Sequence, residues 1–332
     1  MQYRSAKGFT GWGQTGILLV FVGLGLILAA VTQFIIAYQV IPSGIPMDKM
    51  GDVMMKSLMD PKNVSYARLA QVVGTLCLLF IPAVGYSLIT NGKSSFWLGF
   101  NKYINAQQVL IGFGIIFFAN MLAAPLEDIS KMIIAHLPRL DAMAKELEKA
   151  YNDQVVALSN LKSWPEYIMA IFIMAFFPAL FEEVFFRGTV QNLLVKWWRM
   201  PLLGILVTSL VFSLIHMSAY LFLSRAVLGF ALGLLYFKTK NIWVNVIAHF
   251  LNNAIAVTQL FIMSRQQTTI SPDKLDPKVP WWTGIIAILV LYLLFRALDK
   301  HSAANREKIM AKEQLLLADE NVYNPFAHSE NG

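Results

Sequence analysis

Charge is what this sequence has least of. Of its 332 residues only 14% are Asp, Glu, Lys or Arg, while 57% are hydrophobic and the mean hydropathy is +0.55. A soluble domain carries roughly 25% charged residues, so a water-soluble globular fold is excluded. Cysteine is scarce as well: Cys77 stands alone in an apolar run. That excludes an intrachain disulfide framework, a cysteine-based zinc site and a dithiol redox motif. No internal repeat is legible. The formal net charge of +7 does not point to nucleic acid, because the basic residues sit at the ends of apolar runs. Anchors at an anionic bilayer surface are placed in that way.

What fills the sequence instead is apolar runs of bilayer length, about 20 residues each. Eight are read, at about 15–40, 66–90, 106–126, 165–187 or beyond, 201–222, 225–238, 241–263 and 280–297. The first is too long for the hydrophobic core of a signal peptide and reads as a span. The expected class is an all-α, polytopic transmembrane helical bundle of about eight spans with amphipathic interfacial helices. Residues 1–164 would hold the N-terminal spans and a large connector, and 165–263 a core of four spans. The last span would occupy 264–298 and a polar tail 299–332. Within the connector at 128–163, Leu140, Met143, Ala144, Leu147 and Tyr151 recur at helical spacing, which predicts an amphipathic helix lying on the bilayer or capping the bundle. An even span count puts both termini on one side. Charge does not say which, since 14 Lys and Arg fall on that side and 13 on the other.

Two adjacent carboxylates, Glu182 and Glu183, interrupt the apolar C-terminal half. Placing an ionised group in lipid costs at least about 2.5 kcal/mol on the most lenient scale. Positions four apart share a helix face, so Glu183 can pair with Arg187 along the helix while Glu182 points elsewhere. Further on come Phe212-x-x-x-His216 and His249-x-x-x-Asn253. Of the five histidines only His216 and His249 lie deep in predicted spans. Polar side chains on spanning helices turn inward, so Glu182, His216, His249 and Asn253 are expected to converge from three helices. For their depths to match, the fourth span must run past Gly188 to about Trp198, with a kink at Pro178. Gly229-x-x-x-Gly233 reads as close helix packing.

A buried carboxylate and a histidine can together deprotonate a water. A second histidine and an asparagine can steady the oxyanion formed when that water attacks a carbonyl. The same Glu182, His216 and His249 could instead ligate zinc with water in the open position, and the residues alone do not separate the two. Each motif has a bland reading: a solvated helix end, an interhelical hydrogen bond, a chance pair. Two other function classes stay open, a proton-coupled transporter and a non-catalytic membrane scaffold or immunity protein binding partners through 128–163.

The ordered set Glu-Glu-x-x-x-Arg, Phe-x-x-x-His and His-x-x-x-Asn, with Phe-Phe-Arg-Gly after the glutamates, resembles the CPBP family of intramembrane proteases, also called the Abi family and including CAAX prenyl proteases. The resemblance covers about Glu182 to Asn253. It implies an eight-helix fold whose site opens toward the cytosol, in a multi-pass protein of a bacterial inner membrane with both termini cytoplasmic. It implies that Glu182 and His216 activate water, that His249 and Asn253 hold the oxyanion, and that Glu183 and Arg187 support them, with Phe212 beside His216. A glutamate-dependent mechanism requiring no cofactor is the favoured version over a zinc metalloprotease. The implied partners are a peptide or protein substrate, lipidated in some relatives, and the bilayer.

Overall fold

The computed structural model describes residues 3–159, 161–266 and 279–322. Among them the ordered backbone is helical, apart from one isolated bridge between Arg4 and Thr10. The helices are α1 (Gly11–Tyr38), α2 (Met50–Met59), α3 (Pro61–Thr90), α4 (Ala106–Ala135), α5 (Pro138–Leu158), α6 (Trp164–Trp198), α7 (Pro201–Leu214), α8 (Phe222–Thr239), α9 (Ile242–Arg265) and α10 (Trp282–Val322). Seven of the described helices are long and apolar enough to cross a membrane: α1, α3, α4, α6, α8, α9 and α10. Large apolar side chains such as Leu19, Leu24, Ile27 and Ile35 of α1 point outward, as lipid-facing residues do. The chain is an integral, multi-pass membrane protein.

The fifth expected span differs from its expectation. α7 has 14 residues, about 21 Å at 1.5 Å per residue, against roughly 30 Å of hydrocarbon. It stops where Met217 turns left-handed at φ 54°, and Ser213 Oγ ties the turn by donating to the Phe222 carbonyl at 2.6 Å. The loop 215–221 therefore carries His216 at a helix end.

α6 runs unbroken to Trp198, as the depth argument required. It opens with a capping box, Ser163 and Glu166. Two π-helical stretches interrupt it, Ile171–Phe176 just before Pro178 and Phe186–Gln191 just after the glutamates. The first gives the carbonyls freed by Pro178 a wider register, and the second re-aims every side chain beyond it. Gly188 sits in the second, where a Cβ would lie 2.5 Å from the Leu98 carbonyl oxygen.

α10 runs beyond residue 298, where a polar tail was expected. Its polar half docks on the bundle: Gln108 donates to buried Ser302, Lys238 pairs with Asp299, and Lys196 pairs with Glu313. Ala6, Phe96, Trp97 and Ile309 form one small core there, so both ends of the described chain gather at one end of the bundle. The final segment expected to be a tail, from Tyr323, lies outside the described residues.

α5 forms where an amphipathic helix was expected. Leu140 and Met143 are exposed, while Ala144 is buried. Asp141 and Glu148 turn inward instead, because the 215–221 loop offers hydroxyl partners. Tyr220 Oη donates to Asp141 at 2.9 Å and Ser218 Oγ to Glu148 at 2.8 Å.

Candidate active site

One cavity of about 210 Å³ is lined by Glu182, Phe212, His216, His249 and Asn253, together with Tyr151 and Arg225. The four residues singled out as reactive are thus brought together, from α6, the end of α7 and α9. Glu182 Oε2 lies 4.0 Å from His216 Nε2 and 3.9 Å from His249 Nε2. Its side chain is 13% exposed.

Glu183 and Arg187 stand behind the cavity. Their side chains are 0% and 1% exposed and meet at 2.9 Å, one helical turn apart. Glu183 also meets His249 Nδ1 at 2.9 Å and accepts from Asn245 Nδ2 at 3.1 Å. Arg187 donates to the Gly229 carbonyl at 3.2 Å and lies 4.8 Å from the centre of the Phe212 ring. One turn on, Gln191 donates to the Gly233 carbonyl at 2.9 Å. The Gly229-x-x-x-Gly233 stripe does let helices approach: a Cβ at 233 would lie 2.6 Å from Ile205.

The two imidazoles are backed differently. His216 Nδ1 faces the Phe212 carbonyl at 2.7 Å. A carbonyl only accepts, so Nδ1 carries the proton and neutral His216 turns a lone pair on Nε2 toward Glu182. His249 Nδ1 meets a carboxylate already held by a guanidinium, and its Nε2 lies 3.9 Å from Glu182. Phe212 fixes His216 in a second way, its ring lying 4.7 Å from the imidazole.

Several contributors lay beyond the sequence motifs. Asn120 of α4 donates to Asn252 Oδ1 at 2.6 Å, and Asn252 in turn reaches Asn253 Oδ1 at 3.5 Å. With its carbonyl engaged from behind, Asn253 keeps its N–H groups for the cavity. Asn245 was within reach of the pattern that flagged His249 and Asn253, since it extends their stripe by one turn.

The residues do not fit zinc as placed. Separations of 3.9 and 4.0 Å exceed the roughly 3.3 Å edge of a tetrahedral shell with bonds near 2.05 Å. Among the described residues, no group of three or more His, Cys, Asp or Glu is spaced to hold a metal ion.

The cavity extends from mid-depth toward α5. Glu182 is near the middle of α6, whereas His216, Arg225 and Tyr151 belong to the end opposite that holding Ala6 and Ile309.

Fold and site together define a polytopic membrane protein with a buried Glu/His/Asn centre. Residues 164–255 match a family described as type II CAAX prenyl endopeptidase Rce1-like. The chain is similar to "Putative membrane peptidase YdiL" of Bacillus subtilis (strain 168), at 28% identity over 89 residues. That stretch is 27% of this chain and 36% of the relative. No solved structure matches the chain. Both similarities agree with the resemblance of the Glu182–Asn253 motifs to the CPBP/CAAX proteases.

Proposed function

We propose that the chain is an intramembrane endopeptidase that hydrolyses a peptide bond with a water activated by Glu182 and His216. The observation that carries this reading is the pair of acceptors, Glu182 Oε2 and His216 Nε2, 4.0 Å apart. A water donating to both at about 2.8 Å would have its hydrogens roughly 90° apart, close to its own bond angle. Its lone pairs then point away from both acceptors, toward a substrate carbonyl.

In the attack, the water oxygen bonds the carbonyl carbon while its proton passes to Glu182, with His216 sharing the load. The C–O π electrons move onto oxygen, where Nε2–H of His249 and the amide of Asn253 donate. Collapse breaks the C–N bond, and the proton held by Glu182 leaves on the amine. Glu183 and Arg187 act through His249, orienting it and balancing its charge. No step passes through a metal ion. The substrate is a peptide or protein that reaches the site within the bilayer, and lipidated peptides fall within that class.

Glu182→Gln keeps the shape of the side chain and removes the base. Cleavage of peptide substrates by purified protein in lipid nanodiscs is expected to fall by at least about a thousandfold, as for loss of an essential acid–base group, with unfolding temperature unchanged. Full activity in that variant would end the reading.

A further inference from the structure

Arg225 is a cation that the hydrolytic steps above leave unused. It lines the same cavity as Glu182, His216 and His249, and it makes no ion pair among the described residues. Its guanidinium lies 5.0 Å from the centre of the Tyr151 ring, and Nη1 makes a long 3.4 Å contact with the His216 carbonyl. It also stands in the first turn of α8, where the helix dipole disfavours positive charge. Lys131, Lys145, Lys196, Lys238 and Arg306 all have carboxylate partners. Arg225 is held at a polar cavity against an unfavourable field, with an aromatic wall and no carboxylate of its own.

We propose that Arg225 is a specificity-determining residue that binds a carboxylate of the substrate close to the scissile bond. A guanidinium presents paired N–H donors matched to two carboxylate oxygens, and Tyr151 packs one face of it so that its donors keep a fixed direction. The link to the reacting groups is short. Arg225 touches the His216 carbonyl at 3.4 Å, and the ring of that histidine ends 4.0 Å from Glu182. An extended chain advances about 3.3–3.6 Å per residue, so the recognised carboxylate falls within a few residues of the bond cut. It comes either from the chain terminus or from an acidic side chain. This inference rests on the proposed peptidase reading for the word substrate, and its test reads binding apart from turnover.

The probes are N-acetylated hexapeptides of leucine and alanine in three forms: free C-terminal carboxylate, C-terminal amide, and C-terminal amide with glutamate next to the last residue. Their affinities are measured by calorimetry on full-length Glu182→Gln protein in nanodiscs. At least one carboxylate form is expected to bind about tenfold or more tighter than the neutral amide, the scale of one charge-assisted hydrogen bond. Which form gains tells terminus from side chain. Adding Arg225→Gln is expected to erase the difference, and Arg225→Lys to restore part of it in a protein of the same fold. Equal binding of all three peptides, or a preference that survives Arg225→Gln, would overturn the proposal. Carboxylate-selective binding by protein that cleaves none of these peptides even with Glu182 intact would keep Arg225 as the anion site and count against the peptidase reading.

Discussion

Glu182 and Glu183 are adjacent on α6, but one side chain is 13% exposed at a cavity and the other is wholly enclosed by Arg187, His249 and Asn245. Glu183→Gln leaves Arg187 buried without its counter-charge, and breaking a buried pair in that way costs about 3–5 kcal/mol. The expected result is a clear fall in unfolding temperature in detergent, against none for Glu182→Gln. Equal melting of the two variants would show that the division of labour is wrong. For the metal question, purified protein is expected to carry no stoichiometric zinc by elemental analysis and to keep its activity in chelator. One zinc per chain would mean that Glu182, His216 and His249 close in beyond the separations seen. The residues that line the cavity from α6, α7 and α9 were legible in the sequence because an acid or imidazole inside a lipid-length run is conspicuous. Asn120 and Asn252 were not, since neutral amides are common in such runs and only tertiary contact reveals their relay. Arg225 was hidden for another reason: a lone cation at the edge of an apolar run reads as a bilayer anchor.

α5 and the loop after α7 were the elements that sequence patterning described least well. Helical spacing gave the existence of α5 but not the partners of its acidic side chains, which Ser218 and Tyr220 supply. The length of α7 depended on one left-handed residue, Met217, and the π stretches of α6 depend on hydrogen-bond register, which residue types do not encode. The α5 contact makes a pH prediction. Hydrogen bonds from Lys145 and then Tyr220 hold the Asp141 carboxyl below its ordinary value. A lowered folded value means that the contact contributes fully above the unfolded value of about 3.9 and is lost as pH falls through the lowered one. Spin labels at positions 149 and 217, both exposed, in a Cys77→Ser background would report the distance from α5 to the loop. A single narrow distribution is expected at neutral pH, broadening only below about pH 3.9, with Asp141→Asn broad throughout. A distribution unchanged by acid and by that variant would mean that Asp141 does not hold the helix.

The whole molecule has a polarity that no single helix reveals. With α7 counted among them, successive apolar helices alternate in direction, so the N-terminal segment, the 91–105 connector, the α8–α9 turn and the polar half of α10 share one end. Lys7 N–H donates to the Thr90 carbonyl, Asn241 to Asn101, and Asn105 to the His301 carbonyl. The α4–α6 connector and the His216 loop share the other end, and the cavity extends there. Lys and Arg are almost evenly divided between the ends, so charge alone could not orient the chain, and the short α7 supplies the reversal between α6 and α8, which both end beside the N-terminal segment and its neighbouring connector. The relation between cavity and termini is nonetheless fixed by the fold, whichever way the protein inserts. With Cys77→Ser as background, a cysteine at position 149 on α5 and another at position 308 on the polar half of α10 should react with a membrane-impermeant maleimide from opposite faces of sealed vesicles. The labelled face at position 149 is also the one on the side of Tyr151, which lines the cavity with Glu182. If that face proves cytosolic, both described ends of the chain lie across the membrane from it. If it proves external, the proposed peptidase reading would require a substrate reached from outside the cell. Labelling of both positions from the same face would break the alternation of helices on which the placement of the cavity depends.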